Sequence, residues 1–226
     1  MTTLHGRQDV PDLKPLYLGF SDMPLVLISN AQRKPIPNAN FVATVYHGLP
    51  LHLLKPTCRT SGGYVAFLGR KVDEANFRER IVPLLNQPGV EFIGEIDEHA
   101  KSEFLGNAKV LLFPIDWPEP FGLSLIEAMA CGTPVLAFRC GSVPEIIDPG
   151  VTGAIVHTMA EAIRTLPQVL ALDRRTVRQR FEQRFSATRL AKDYIEVYGS
   201  LLKRPSLMER RAVVSRLEPK LEKEMI

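Results

Sequence analysis

A chain of 226 residues has room for one ordinary domain with additions, and 45% apolar with 23% charged residues is the profile of a soluble globular protein rather than a disordered one. A formal net charge of +3 is too mild to argue for nucleic acid, and no aromatic residues interleave with basic ones in a base-stacking pattern. The opening MTTLHGRQD has no apolar signal core, and no apolar run is long enough to cross a bilayer.

Residues 1–40 are rich in Pro, Asp and Asn, with short apolar pieces at Leu16–Leu18 and Pro24–Ser29. The second reads as a strand, and Asn30–Arg33 as a turn or short helix. FVATVY, 41–46, is β-branched and aromatic and reads as a strand, closed by His47-Gly48-Leu49-Pro50. A polar link follows, and from Tyr64 the texture changes. YVAFL, Tyr64–Leu68, is a continuous apolar strand stopped by Gly69-Arg70. Asp73–Asn86 reads as a helix with Asp73 as its cap. Then come a strand Val90–Ile93, a helix Glu98–Asn107 and a strand Val110–Phe113. A helix Phe121–Cys131 precedes a strand Pro134–Phe138 and a short helix Ser142–Ile147. Ala154–Val156 reads as a strand and Ala160–Leu172 as a helix. Strands apolar throughout, alternating with helices, imply a parallel sheet covered on both faces. The expected fold is a Rossmann-like, doubly wound α/β sheet whose ligands sit at the carboxyl ends of the strands.

One stretch carries chemistry: DWPEPFGLSLIEAMACGTPVLAF, Asp116–Phe138. It spans the loop after strand Val110–Phe113 and the helix that follows. Gly132 suits the left-handed residue that ends a helix, and Pro134 prevents continuation. The free N–H groups of Gly122, Leu123 and Ser124 then face the crevice and, with the helix dipole, form an anion site. Glu119 lies in the loop beside it. Glu127 lies roughly 9 Å further along the helix at 1.5 Å per residue. A ligand with phosphate in its middle touches both carboxylates with its two ends, which is the shape of a nucleotide sugar. The alternative is a pair of solvated glutamates, the earlier one complementing the dipole with no ligand.

PEPFGLSLIEAMACGTPVLA resembles the E-x7-E segment of the family 4 glycosyltransferases, the large retaining family with the GT-B fold. Cys140–Ile147 (CGSVPEII) is similar to the family's G-G-x-P-E-I-I, and Gly150-Val151-Thr152-Gly153 to its D-G-x-x-G. Tyr46–Pro50 resembles its Y-N-G-I-D, and Ala66–Arg70 its V-G-R. The resemblance covers roughly residues 40–200 and implies the C-terminal, donor-binding lobe. It implies that Glu127 holds the nucleotide ribose and that Glu119 bonds the donor sugar near the reacting carbon. The amides of Phe121, Gly122, Leu123 and Ser124 would contact sugar and phosphates, and Arg70 would neutralise the diphosphate. A guanidinium and a helix N-terminus, already oriented, stabilise charge building on the leaving phosphate. The resemblance also implies acceptor attack on the leaving-group face, with the phosphate taking the proton, which needs no separate general base. No cofactor or metal is expected, only the nucleotide-diphosphate sugar as donor.

The chain departs from the family in two places. About 50 residues precede the second lobe, where a full α/β lobe takes on the order of 100 or more. Gly69-Arg70 runs directly into Lys71-Val72-Asp73-Glu74, where the family has a loop with a second phosphate-binding lysine. A helix-strand block of about 25 residues is missing there, and Lys71 does not match the family's lysine. Tyr64–Leu68, Asp73–Asn86 and Val90–Ile93 are expected to form one right-handed crossover all the same.

These readings divide the chain into a remnant of the first lobe with its linker (1–61), a nucleotide-sugar lobe (62–185), and a crossing helix with a charged tail (186–226). His47 falls near the lobe junction and His99 on a helix surface; Trp117 is placed to stack on a sugar or simply to pack. Arg174, Arg175, Arg178, Arg180 and Arg184 form a basic helix face, solvated by default, with contact to anionic lipid as the sharper option. Cys58, Cys131 and Cys140 share no metal spacing and fit reduced thiols in the cytosol. The expected function is hexosyl transfer from a nucleotide-diphosphate sugar to a glycan, lipid or small-molecule acceptor, in the cytoplasm or peripherally at the inner membrane face. The alternative is a non-catalytic nucleotide-sugar-binding module. A Rossmann oxidoreductase is disfavoured, because no G-x-G-x-x-G follows Tyr64–Leu68.

Overall fold

The structure is a computed structural model and describes residues 1–56, 63–69, 75 and 77–203. The chain divides into two compact units, Met1–Leu190 and Ala191–Ile226. The first contains two parallel sheets.

The smaller sheet consists of β1 (Thr2–Leu4), β2 (Leu25–Leu27) and β3 (Phe41–Thr44), in that order. β2 is buried along its whole length, as a central parallel strand should be. A short helix, α1 (Lys14–Gly19), packs Tyr17 against Leu25 and Ile36. The opening residues give no strand signal, yet β1 forms because β2 offers a ladder: the Thr2 N–H donates to Pro24 at 3.0 Å. Asn30–Arg33 is a 3-10 helix.

The larger sheet consists of β4 (Tyr64–Phe67), β5 (Ala108–Phe113), β6 (Val135–Phe138) and β7 (Gly153–Val156), in sequential order and parallel throughout. Between β4 and β5 lie a π-helical turn, Phe77–Ile81, and the helices α2 (Val82–Leu85) and α3 (Glu98–Asn107). Beyond β5 come α4 (Leu123–Ala130), α5 (Val143–Ile146), α6 (Met159–Leu170), α7 (Arg174–Phe185) and α8 (Ala187–Leu202). One face of the sheet carries α3, α4 and α7 around a core that includes Leu105, Leu125, Met129, Phe181 and Phe185. The two phenylalanines are fully buried, a contribution of about 2–3 kcal/mol apiece. The other face carries α6, whose Val169 meets Val110, Leu136 and Val156. Among the described residues no helix is long and apolar enough to cross a membrane.

Val90–Ile93 is not a strand, so the expected crossover through it does not form; β4 pairs directly with β5. The reason is missing cover. A parallel strand is stable when layers bury both its faces, and no residue of Phe77–Leu85 is buried. Val90, Phe92 and Ile93 are exposed, and the Phe92 ring lies 5.8 Å from the Phe77 ring between centroids. The expected cap Asp73 lies outside the described residues.

The two sheets are joined by a carboxylate. Glu145 on α5 accepts from the backbone N–H groups of Asn30 and Ala31, both at 2.7 Å, and from the Tyr46 hydroxyl at 3.0 Å. It therefore caps the 3-10 helix of the small sheet from across the molecule. Leu49 bonds to both sides of Ser186: its N–H donates to Phe185 at 2.8 Å and its carbonyl accepts from Ala187 at 2.9 Å. Burial first, then the Glu145 charge, push the Tyr46 hydroxyl up to about 12. A phenol held above its unfolded value near 10 stabilises the fold fully below about pH 10 and loses that as pH rises through about 12. Urea unfolding across this window should show the parent protein losing stability more steeply than Tyr46→Phe. Parallel decline of the two would mean that the phenol titrates alike folded and unfolded.

Candidate functional site

β5 ends at Phe113, and its carboxyl-end loop leads into α4. The helix begins at Leu123, two residues later than expected, because Gly122 is its cap with φ 84° and ψ 65°, a left-handed conformation that favours glycine. Glu119 folds back onto this turn. Its Oε1 accepts the Gly122 N–H at 3.0 Å and its Oε2 accepts the Trp117 indole N–H at 3.1 Å. A negative group belongs there, at the positive end of the helix dipole. The Gly122 amide is thus engaged by Glu119, while the first-turn amides of Leu123 and Ser124 have no intrahelical acceptor. Phe121 offers only its backbone: the ring is buried among Tyr46, His47 and Phe185. Gly132 ends the helix region with φ 70°, as the sequence predicts.

The Glu119 loop is held from its other side. Ser142 donates its N–H to the Glu119 carbonyl at 3.0 Å. Gly141, with φ 50°, packs so closely that a Cβ would overlap the Glu119 backbone and lie 2.8 Å from the Pro118 carbonyl carbon. A cleft of about 150 Å³ opens here, with Pro118, Glu119 and Pro120 on one wall and Arg7, Asp9 and Lys34 on the other. Ordinary ligand pockets run to about 300–1,000 Å³, so this cleft is smaller than one that encloses a whole ligand. Arg7 and Asp9 pair with each other at 2.6 Å.

Glu127 is not a free surface carboxylate. Its Oε1 pairs with Lys101 Nζ of α3 at 2.9 Å, and the two side chains are 15% and 21% exposed. Lys101 escaped the sequence reading. The available signal was its place one turn after the cap Asp97, which accepts from the Ala100 N–H at 2.8 Å. That turn lies at the carboxyl ends of the strands, where ligands of such sheets bind.

His47 sits at the junction, stacked on His5 at 5.3 Å and edge-on to Phe121 at 4.9 Å. Burial, then the charges of His5 and Arg189, lower its pKa and disfavour the charged imidazolium. Trp117 is exposed beside Glu119. Arg70 and Lys71 lie outside the described residues.

The basic face of α7 is a correction. Arg174 turns inward and donates to the carbonyls of Gly106, Ala108 and Cys131 and to the Thr133 hydroxyl, at 2.6–3.3 Å. Arg178 reaches the carbonyls of Leu51, Leu54 and Ala130. Arg184 bonds those of Glu145 and Ile146 and the Asp148 carboxylate. These carbonyls sit at helix ends, in loops and at the first residue of β5, where backbone acceptors are often left over, and the guanidinium groups turn in to meet them. Only Arg175 and Arg180 of the five are exposed. Cys131 is buried and Cys140 half-buried, both as thiols, and burial pushes the Cys131 thiol up to about 11.

Comparison with known proteins decides the family. The sequence profile described as "Glycosyl transferases group 1" matches residues 53–184, more than half of the chain. The chain belongs to the group 1 glycosyltransferases. An alpha-maltose-1-phosphate synthase of Mycobacterium tuberculosis is 34% identical over 110 residues, 42% of this chain and 28% of that protein. A D-inositol 3-phosphate glycosyltransferase of Mycolicibacterium vanbaalenii is 43% identical over 72 residues, 31% of this chain and 16% of that protein. This group 1 chain therefore spans less than a third of the curated relatives it matches. Among solved structures, HepE of Anabaena in complex with UDP-glucose aligns with a TM-score of 0.72 at 16% identity, over 88% of this chain and 71% of that one. Sucrose-phosphate synthase from Thermosynechococcus elongatus aligns at 0.65 and 23%, over 79% and 58%. Both likenesses establish the GT-B type of α/β fold.

Proposed function

We propose that this chain binds a nucleotide-diphosphate sugar at the N-terminus of α4, as the donor-binding part of a retaining hexosyltransferase. The observation that carries the reading is the geometry of α4 itself. Glu119 is fixed at its start, the first-turn amides of Leu123 and Ser124 have no intrahelical acceptor, and Glu127 is held at its flank. In this reading Glu127 accepts from the ribose hydroxyls and Glu119 meets the sugar beside the reacting carbon. The amides of Phe121, Leu123 and Ser124, with Arg70, oppose the charge that builds on the leaving phosphate. The Gly122 amide serves indirectly, by orienting Glu119. No metal is needed for these roles.

HepE has been solved with UDP and with UDP-glucose, so these are the first probes, beside ADP, GDP and their sugars. Binding raises the apparent stability of the native state, and calorimetry then gives the constant. Glu127→Gln should weaken diphosphate binding by about 1–3 kcal/mol, the usual loss for a charged hydrogen bond, while the free protein unfolds at nearly the same temperature. An unchanged constant would leave Glu127 as a structural partner of Lys101 alone.

A second reading is a nucleotide-sugar-binding module without turnover. Radiolabelled donor with an acceptor panel separates the two readings by transfer or hydrolysis as against binding alone.

A further inference from the structure

We propose that Lys101 is the positioning residue for Glu127, setting that carboxylate for the ribose and cancelling its charge toward the diphosphate. The inference rests on the reading that Glu127 holds the ribose. Three observations carry it. Lys101 engages only Oε1, at 2.9 Å, and a carboxylate has about four acceptor sites, so Oε2 remains for a ribose hydroxyl. Both side chains are largely screened from solvent, where an ion pair is less damped by salt. The pair also joins the first two turns of α3 and α4, which run antiparallel to the same strands, so it lies at the crevice end of the sheet.

A glutamate turns about three χ bonds, and fixing it before the ligand arrives removes an ordering cost from binding. The charge matters as well. Glu127 lies about one turn from the amides proposed to seat a diphosphate, so an uncompensated carboxylate there would repel it. Lys101 removes that repulsion without occupying the amides.

The test is calorimetric titration of the full chain with UDP and with 2′,3′-dideoxyuridine diphosphate, which lacks the hydroxyls that Glu127 would meet. The parent protein should favour UDP by about tenfold or more, the scale of one charged hydrogen bond. Lys101→Met should abolish most of that preference, and Lys101→Arg should restore it. Lys101→Met/Glu127→Gln should bind UDP no worse than Glu127→Gln alone, because the unbalanced charge is gone. A purely structural ion pair would instead shift unfolding temperature and leave the UDP to dideoxy ratio of Lys101→Met at the parent value, which overturns the proposal. If Lys101→Met does not fold, Lys101→Gln, which keeps a donor without the charge, is read by the same ratio. Glu127→Gln tells the two ideas apart. A ratio unchanged in Glu127→Gln sinks the ribose reading and this inference with it. A ratio lost in Glu127→Gln but kept in the Lys101 variants sinks this inference alone.

Discussion

Gly141→Ala should lower stability by about 2–5 kcal/mol. The left-handed backbone costs an L-residue about 1–2 kcal/mol, and forcing a methyl into filled space adds about 1–3 kcal/mol. At Gly141 the filled space is the Pro118–Glu119 backbone, which cannot swing aside as a side chain tip could. Gly150 is the internal control: its φ of 78° is just as left-handed, but nothing lies within 4 Å of a Cβ there. Gly150→Ala should therefore show the conformational cost alone. Thermal and urea unfolding of the two variants measure the difference. Equal losses would mean that the loop carrying Glu119 yields freely, and that it is less firmly held than its contacts with Gly141 and Ser142 imply.

Arg174→Met should be comparably severe, at about 3 kcal/mol. One guanidinium serves three carbonyls and a hydroxyl, and burial lowers its pKa, which marks how far it has been drawn from water. Its loss leaves several buried acceptors without a donor, at about 1–3 kcal/mol for each unsatisfied group and less than additive in sum. For a chain of this size each kcal/mol moves the midpoint by about 2–4 °C. Arg174→Lys should recover little, because an ammonium cannot spread its donors over acceptors that far apart. Full recovery by lysine would mean that charge, rather than the fork of donors, is what α7 supplies at that end.

The parts of the fold that were legible in sequence are those fixed by local signals. Gly132 and Pro134 end α4 by backbone chemistry alone, though its start, capped by Gly122, fell two residues later than the expected Phe121, and the continuous apolar runs at β5 and β6 admit few readings besides buried strands. Val90–Ile93 has the composition of a strand, but strand is a state of pairing and cover, and among the described residues no helix buries it. β1 is the converse, three unremarkable residues made into a strand by their neighbour. The α7 arginines were open to a better reading. Arg174 and Arg178 fall on one stripe with Val177, Phe181 and Phe185 at helical spacing, so the inward face could have been drawn from periodicity. The Lys101–Glu127 pair could not, since it depends on how α3 and α4 lie side by side.

The Glu145 bridge also sets an order of events in time. Asn30 precedes Glu145 by 115 positions, and ribosomes add about 5–20 residues per second. The two amides that Glu145 caps are therefore synthesised on the order of 6–20 s before their acceptor exists. The apolar Leu25, Val26 and Leu27 of β2 emerge with them. In a chain made from its N-terminus, this segment waits for the carboxylate that ties it to the larger sheet. Nascent-chain binders should meet it in that interval.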